Sequence, residues 1–433
     1  MNQIAKEMNE ILKKSSEIFY EMLSDFGKRI YMPKGIIVQT AEAKQKAKKL
    51  NATIGSAEIN NEPLFLPSIA KYFNNLKPSQ IFPYAPVYGI PELRSKWKEK
   101  IIRENPDIKS PDFISTPVVI QGLTHGIMIF ADLFLNRGDE IIISDKLWEN
   151  YNLMFEERYG SKVVYFDLFD KELKGFNLKS LDETIARSKK DKVIVLFNFP
   201  NNPTGYTPTE KEAEEIVKII EKHANSGKKI LVVSDDSYYG LLFEDNLLKG
   251  SIFSKFVGLH KNIACVKIDG FTKEDYVWGF RVGFITFADY DHHPDIYKIL
   301  EQKVAGCIRS SISNCLLPSQ SILQNALNEP SYQKEKEQNY NILKERAKKV
   351  KEIVYDKKYS DCWEVYPFNS GYFMCLKIKG ASAEEVRRVC LEKYQVGVIA
   401  LGDDIRVAFS SVNLEHIEEL FEIIANVIRE VRK

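Results

Sequence analysis

The sequence predicts an α/β protein, with a large unit built on a mainly parallel sheet and a smaller α+β unit beside it. From about residue 85 onward, short apolar runs rich in β-branched residues alternate with helical stretches. That is the pattern of buried parallel strands joined by helices. After about residue 356 the chain turns to closely spaced strands and a final helix, which reads as the second unit. A chain of 433 residues is long enough for two sizeable cores.

The elements follow in order. Ile4, Met8, Ile11, Leu12, Ile18 and Met22 recur at near-helical spacing, so one amphipathic helix is expected over 3–24. The basic stretch Lys44 to Lys49 in AEAKQKAKKL reads as a solvated helix face. The strand VVI (118–120) leads through QGLTHG into an apolar helix and then to DEIIIS (139–144). KVVYFD, KVIVLFNF, a charged helix near 210–223, KKILVVSDD, NIACVKID and VGFITF continue the alternation. Residues 320–356 are expected as a long helical stretch. EVYPF, GYFMCLKI, GVIAL and DIRVAF then precede the closing helix LEHIEELFEIIANVIREVRK. The expected division is 1–64 as a helix and arm contributing to the small unit, 65–342 as the large unit, and 343–433 as the small unit.

Charge excludes some function classes. Lys plus Arg (61) nearly cancels Asp plus Glu (60), which gives no electrostatic reason to expect nucleic acid or an anionic membrane as partner. Cysteines 265, 307, 315, 362, 375 and 390 form no C-x-x-C pair, so no metal site is expected, and reduced thiols suggest the cytoplasm. The first residues mix charges throughout, unlike a signal peptide, and no apolar run approaches the roughly 20 residues of a membrane helix. Function is therefore expected in a local site.

Four segments, each at the expected end of a strand, carry chemistry. FNFPNNPTG (197–205) is a polar turn where open parallel sheets bind ligands, or a loop that only reverses the chain. VVSDDSYYG (232–240) brings two acids and Tyr238 to the same edge; an acid there can also be a helix cap. KIDGFTKEDYVWGFRVGF (267–284) sets Lys273 eight residues before Arg281 among glycines. That pair could hold a phosphate and leave a lysine for imine chemistry, although a lone lysine is by default a surface group. VVIQGLTHGIMIF (118–130) is a strand, a turn and a helix whose first N–H groups can bind an anion.

In this order the segments resemble class I aminotransferases of the pyridoxal-phosphate (PLP) fold type I, from about Asn51 to Arg406. NATIGSAEINNEPLFLPSI (51–69) is similar to the family's opening segment, and YAPVYGIPELR matches its Y-x4-G-x3-L-R pattern. NNPTG matches its N-P-T-G signature, and K-x7-R-x-G its cofactor-lysine motif. The resemblance implies that Lys273 binds PLP covalently and shuttles the substrate proton, that Asp235 pairs with the pyridinium nitrogen, and that Asn202 and Tyr238 bond the ring's phenolic oxygen. It places the phosphate on Leu123, Thr124, Thr272 and Arg281, with Tyr84 reaching it from a second subunit, and stacks Trp148 on the ring. Gly55, Asn202 and Arg406 would bind substrate, Arg406 gripping its α-carboxylate.

IRSSISN (308–314) is similar to the R-x-x-x-S-N segment that carries a second arginine across the dimer. That would make Arg309 the contact for a side-chain carboxylate, with aspartate or glutamate as donor. Three positions depart from the family. Gly270 and Thr272 stand where serines are usual, the first removing a phosphate hydroxyl, and Ser237 replaces an alanine. The continuation CLLP also replaces the usual N-P-P. The expected protein is a cytoplasmic homodimeric PLP aminotransferase acting on an amino acid and a 2-oxo acid. The alternatives are a PLP lyase or decarboxylase on the same fold, and a non-catalytic PLP-sensing regulator domain.

Overall fold

Seven strands form the main sheet of the computed structural model, in which residues 1–33 and 35–432 are described. They are β1 (Val118–Ile120), β2 (Glu140–Ser144), β3 (Lys162–Phe166), β4 (Lys192–Asn198), β5 (Lys229–Asp235), β6 (Ile263–Gly270) and β7 (Gly283–Ala288). Their spatial order is β1-β7-β6-β5-β4-β2-β3. Pairing is parallel from β6 across to β3, and β7 alone runs against its neighbours β6 and β1. Val193 to Phe197 of β4 are all buried, as strands covered on both faces require. Because β1, β2, β4, β5 and β6 share one direction, their carboxyl ends meet at one edge.

The second sheet is antiparallel, with β8 (Trp363–Val365), β9 (Met374–Ile378), β10 (Ile399–Leu401) and β11 (Asp404–Val407) in the order β8-β9-β11-β10. Its core, including Trp363, Met374, Leu376, Ile405, Phe421 and Ile424, is separate from that of the main sheet. The early chain joins it. Leu50–Asn51 pairs in parallel with Val396–Gly397, and the Gln39 side chain bonds both the N–H and the C=O of Ala400 at 2.8 and 3.0 Å. Those two bonds occupy backbone groups on the otherwise open edge of β10.

Five helices enter the description: α1 (Gln3–Ser15), α2 (Ile36–Lys46), α3 (Leu123–Phe134), α4 (Phe271–Glu274) and α5 (Tyr332–Val354), of which α2, α3 and α4 line the site. Leu343 of α5 lies in the first core and Ala347 and Val350 in the second, so one rigid element threads both.

Two expected helices are broken. The helix expected over 3–24 stops at Ser16, whose backbone (φ −157°, ψ 84°) separates α1 from Glu17–Met22. Serine competes for its own backbone and favours such ends. The expected apolar stripe is not buried within the chain: Met8, Ile11, Ile18 and Met22 are exposed. The stretch 320–356 is likewise two helices, Leu317–Ala326 and α5, separated near Pro330, which has no N–H for a continuing helix. Among the described residues no helix is long and apolar enough to cross a membrane.

Candidate active site

The shared strand edge opens on one cavity of about 280 Å³. At the end of β1, Gly122 has φ +76°, and a Cβ there would lie 2.4 Å from a guanidinium nitrogen of Arg281. Only glycine lets that arginine reach the start of α3, where Leu123 and Thr124 present N–H groups without partners inside the helix. Arg281 is held from below by its bond to the Trp278 carbonyl, 3.2 Å. This corner is built to receive an anion.

Lys273 rises from α4, just past the end of β6. Its ammonium sits 4.9 Å from the centre of the Tyr238 ring and makes no ion pair with a described residue. Burial, opposed by Asp235 and reinforced by Arg281, brings its pKa down to about 8. Asp235, the last residue of β5, is buried and accepts hydrogen bonds from the Tyr151 hydroxyl and from the N–H (3.1 Å) and hydroxyl of Ser237. Burial raises its pKa, while the bonds from Ser237 and Tyr151 and the charge of Lys273 oppose that rise.

Beyond β4, the Asn202 N–H bonds the Asn198 side chain at 2.9 Å, and its Oδ1 accepts from Arg406 at 3.3 Å. Arg406 is buried on β11, donates to the Thr53 carbonyl at 3.3 Å and lies 4.3 Å from the centre of the Phe373 ring. Gly55 and Trp148 complete the wall.

Three cavity-lining donors are buried without a partner among the described residues: Thr272 Oγ1, Trp278 Nε1 and Arg406 Nε. An unmatched buried donor costs about 1–3 kcal/mol, so the wall is complementary to acceptor oxygens. The cavity therefore offers a cationic corner at Arg281, a second cation at Arg406, and an acid and a lysine of lowered pKa between them. It can hold a planar group with an anionic tail and a basic nitrogen, with room for a carboxylate beside it.

Of the residues expected from sequence, Gly55, Leu123, Thr124, Trp148, Asn202, Asp235, Tyr238, Thr272, Lys273, Arg281 and Arg406 line this cavity. Tyr84 and Arg309 do not. Tyr84 is 86% exposed, and Arg309, also exposed, donates to Ser313 Oγ at 2.6 Å. Both were expected to act on a partner protomer's site. Sequence reasoning missed Tyr151 and Ser237 as holders of Asp235. It also missed Ile36 and Thr40, one turn apart on α2, which reach the cavity from the early chain. A signal for Ser237 was available, because a Ser two residues after an Asp at a strand end suits a side-chain-capped turn.

The family described as aminotransferase class I and II matches residues 47–424. The chain belongs to this family. As an aminotransferase it is an enzyme of the transaminase class with the type I fold, and neither the regulator-domain nor the lyase reading gains support. The cytoplasmic aspartate aminotransferase of Schizosaccharomyces pombe is 24% identical over 387 residues, covering 86% of this chain and 91% of that protein. The probable aspartate/prephenate aminotransferase of Aquifex aeolicus is 32% identical over 203 residues, 47% of this chain and 48% of that one. Among solved structures, an aminotransferase from Anaerococcus prevotii superposes with a TM-score of 0.82 at 24% identity, covering 95% of this chain and all of that one. Aspartate aminotransferase of Thermus thermophilus with maleate gives 0.74 at 19% identity, over 94% and 99%.

Proposed function

We propose that this aminotransferase uses PLP, bound covalently at Lys273, to move an amino group between aspartate or glutamate and a 2-oxo acid. The observation that supports this most is the placement of Lys273 and Asp235 between two cationic ends, Arg281 and Arg406, in one cavity with unmatched donors. PLP, when bound, supplies an electron sink that acidifies the substrate Cα–H.

The chain's own residues do the rest. Leu123, Thr124, Thr272 and Arg281 hold the phosphate. Asp235 keeps a proton on the ring nitrogen, and Tyr151 and Ser237 fix the orientation of its carboxylate. Asn202 and Tyr238 bond the phenolic oxygen while Trp148 stacks on the ring. Arg406 grips the α-carboxylate through a planar fork, which fixes the direction of the Cα–H bond. Lys273, with its pKa near 8, takes that proton and returns it. Gly55 leaves room for substrate at the wall.

Tyr84 and Arg309 are assigned to the site of a second copy, which makes the working form a homodimer; their exposure on the single chain agrees with that. Arg309 would read the donor's side-chain carboxylate, a choice supported by the relatives named as aspartate aminotransferases. The division at about residues 64 and 342 separates a large PLP-binding unit from a small unit whose sheet carries Arg406. A cytoplasmic setting is supported by two relatives named as cytoplasmic and by six free cysteines.

The deciding experiment is an absorbance titration of the PLP-loaded protein with L-glutamate. A cofactor band that shifts on addition, and returns with 2-oxoglutarate, is the expected result. A stable band would exclude glutamate as donor.

A further inference from the structure

The chain has four tryptophans, and two have evident acceptors. Trp97 Nε1 donates to Asp269 and Trp363 Nε1 to the Val354 carbonyl, each at 3.0 Å. Trp278 differs. Its Nε1 is buried with no acceptor among the described residues, and the residue lines the cavity that holds Lys273 and Arg281. An indole N–H can only donate, and burying it unmatched is unfavourable. The ring is hemmed in by Tyr276 and Tyr372, with ring centres 6.0 and 6.3 Å away, while its carbonyl is tied to Arg281.

The neighbouring strand end cannot supply an uncharged donor of its own. A side chain at Gly270 would place its Cβ 2.5 Å from Gly283 Cα and 2.7 Å from the Val282 carbonyl oxygen, both rigid backbone atoms of the paired strand. No hydroxyl-bearing residue fits there. Among the described residues that line the cavity with Arg281, the unmatched uncharged donors are Thr272 Oγ1 and Trp278 Nε1.

We infer that the Trp278 indole N–H is a ligand-binding group, donating to an anionic oxygen of what the cavity holds. That oxygen belongs either to the cofactor phosphate or to the side-chain carboxylate of a dicarboxylic substrate. The assignment rests on the PLP reading given above and adds to it a donor that no sequence motif marked.

Trp278→Phe keeps an aromatic ring and removes the N–H. Affinities of cofactor-free wild-type and variant protein are compared for PLP and for pyridoxal, which lacks the phosphate, followed by KM for L-aspartate and L-alanine on the loaded enzymes. If the phosphate is the acceptor, PLP binding weakens about tenfold or more while pyridoxal binding is unchanged. If the carboxylate is the acceptor, PLP affinity holds and KM for aspartate rises by a similar factor without a change for alanine. Changes below twofold throughout, or an equal loss for all four ligands, overturn the inference.

Should the variant fail to fold, indole N–H resonances carry the test. The Trp148 signal is identified by its loss in Trp148→Phe, and in the wild-type protein one of the other three must move downfield on addition of PLP and then aspartate; three stationary signals beside that of Trp148 overturn the assignment. A wild-type protein that binds no PLP sinks the proposed function instead, so the two failures are distinct.

Discussion

Lys267 and Lys273 stand six residues apart on one segment and meet opposite fates. Lys267, on β6, is sealed in the core, with its ammonium bonded to Asp236 and 3.1 Å from Asp269. The charges of Asp236 and Asp269 outweigh its burial and raise its pKa. Lys273 opens on the cavity with no ion-pair partner among the described residues, and burial dominates instead. Burial alone makes a lysine reactive only where its counter-charges are withheld. The same contrast holds one residue further on. Glu274, beside Lys273, is clasped by Lys100 (3.0 Å) and Lys336 (2.7 Å), and Asp275 by Lys336 (3.2 Å) and the Tyr332 hydroxyl. A network of ion pairs thus anchors the turn that carries an unpaired lysine.

The strongest way to break this comparison is Lys273→Ala. If Lys273 is the reactive member, transamination falls by about 10²–10⁴-fold and the protein loses the absorbance band of covalently held cofactor; a band that survives would refute the assignment. Lys267→Met should act on stability instead. It strands two buried carboxylates and should cost about 3–5 kcal/mol, read from urea unfolding.

The third test uses pH. Because the folded pKa of Lys273 lies near 8, below its usual 10.5, the unfolded chain binds a proton between those values that the folded chain does not. Stability from this group is therefore lowest below pH 8 and recovers as pH rises toward 10.5. Cofactor-free Lys273→Met should be more stable than wild type by up to about 3 kcal/mol at pH 7, with the gap closing by pH 10.5. A pH-independent gap would mean that Lys273 is not strained by burial.

Smaller effects sharpen the picture of the cavity wall. Arg406→Lys keeps charge but loses the planar fork, and KM should rise about tenfold or more; unchanged kinetics would remove Arg406 as the carboxylate clamp. Arg309→Ala should weaken dicarboxylic donors about tenfold and leave alanine unaffected. An equal loss for both would end the dicarboxylate assignment.

Much of this was legible in sequence because the cavity-lining groups sit at strand ends, where a buried apolar run stops at a short polar motif. NNPTG, SDDSYYG and the Lys273–Arg281 segment stand out for that reason. The two-lysine contrast was not legible, since Lys267 sits in an apolar run and reads as an interruption. Its partners Asp236 and Asp269 come from just past the end of a neighbouring strand and from two positions further on. Tyr151 follows Trp148 by three residues and looks like core packing; only the sheet brings it under Asp235. Ile36 and Thr40 were hidden because the early chain reaches the cavity only after docking on a sheet formed from residues beyond 360. The breaks at Ser16 and near Pro330 escaped because apolar spacing outlives a local interruption of the helix.

That docking has a consequence for how the protein is made. Leu50 pairs with Val396, about 350 residues away along the chain, and Gln39 waits for Ala400. All seven strands of the main sheet lie between residues 118 and 288, so that sheet can assemble during synthesis. The segment carrying Ile36 and Thr40 must stay undocked until almost the whole chain has left the ribosome. For much of translation α2, which buries Ala43 in the finished fold, has no partner, so the cavity wall it supplies is among the last parts of the site to form.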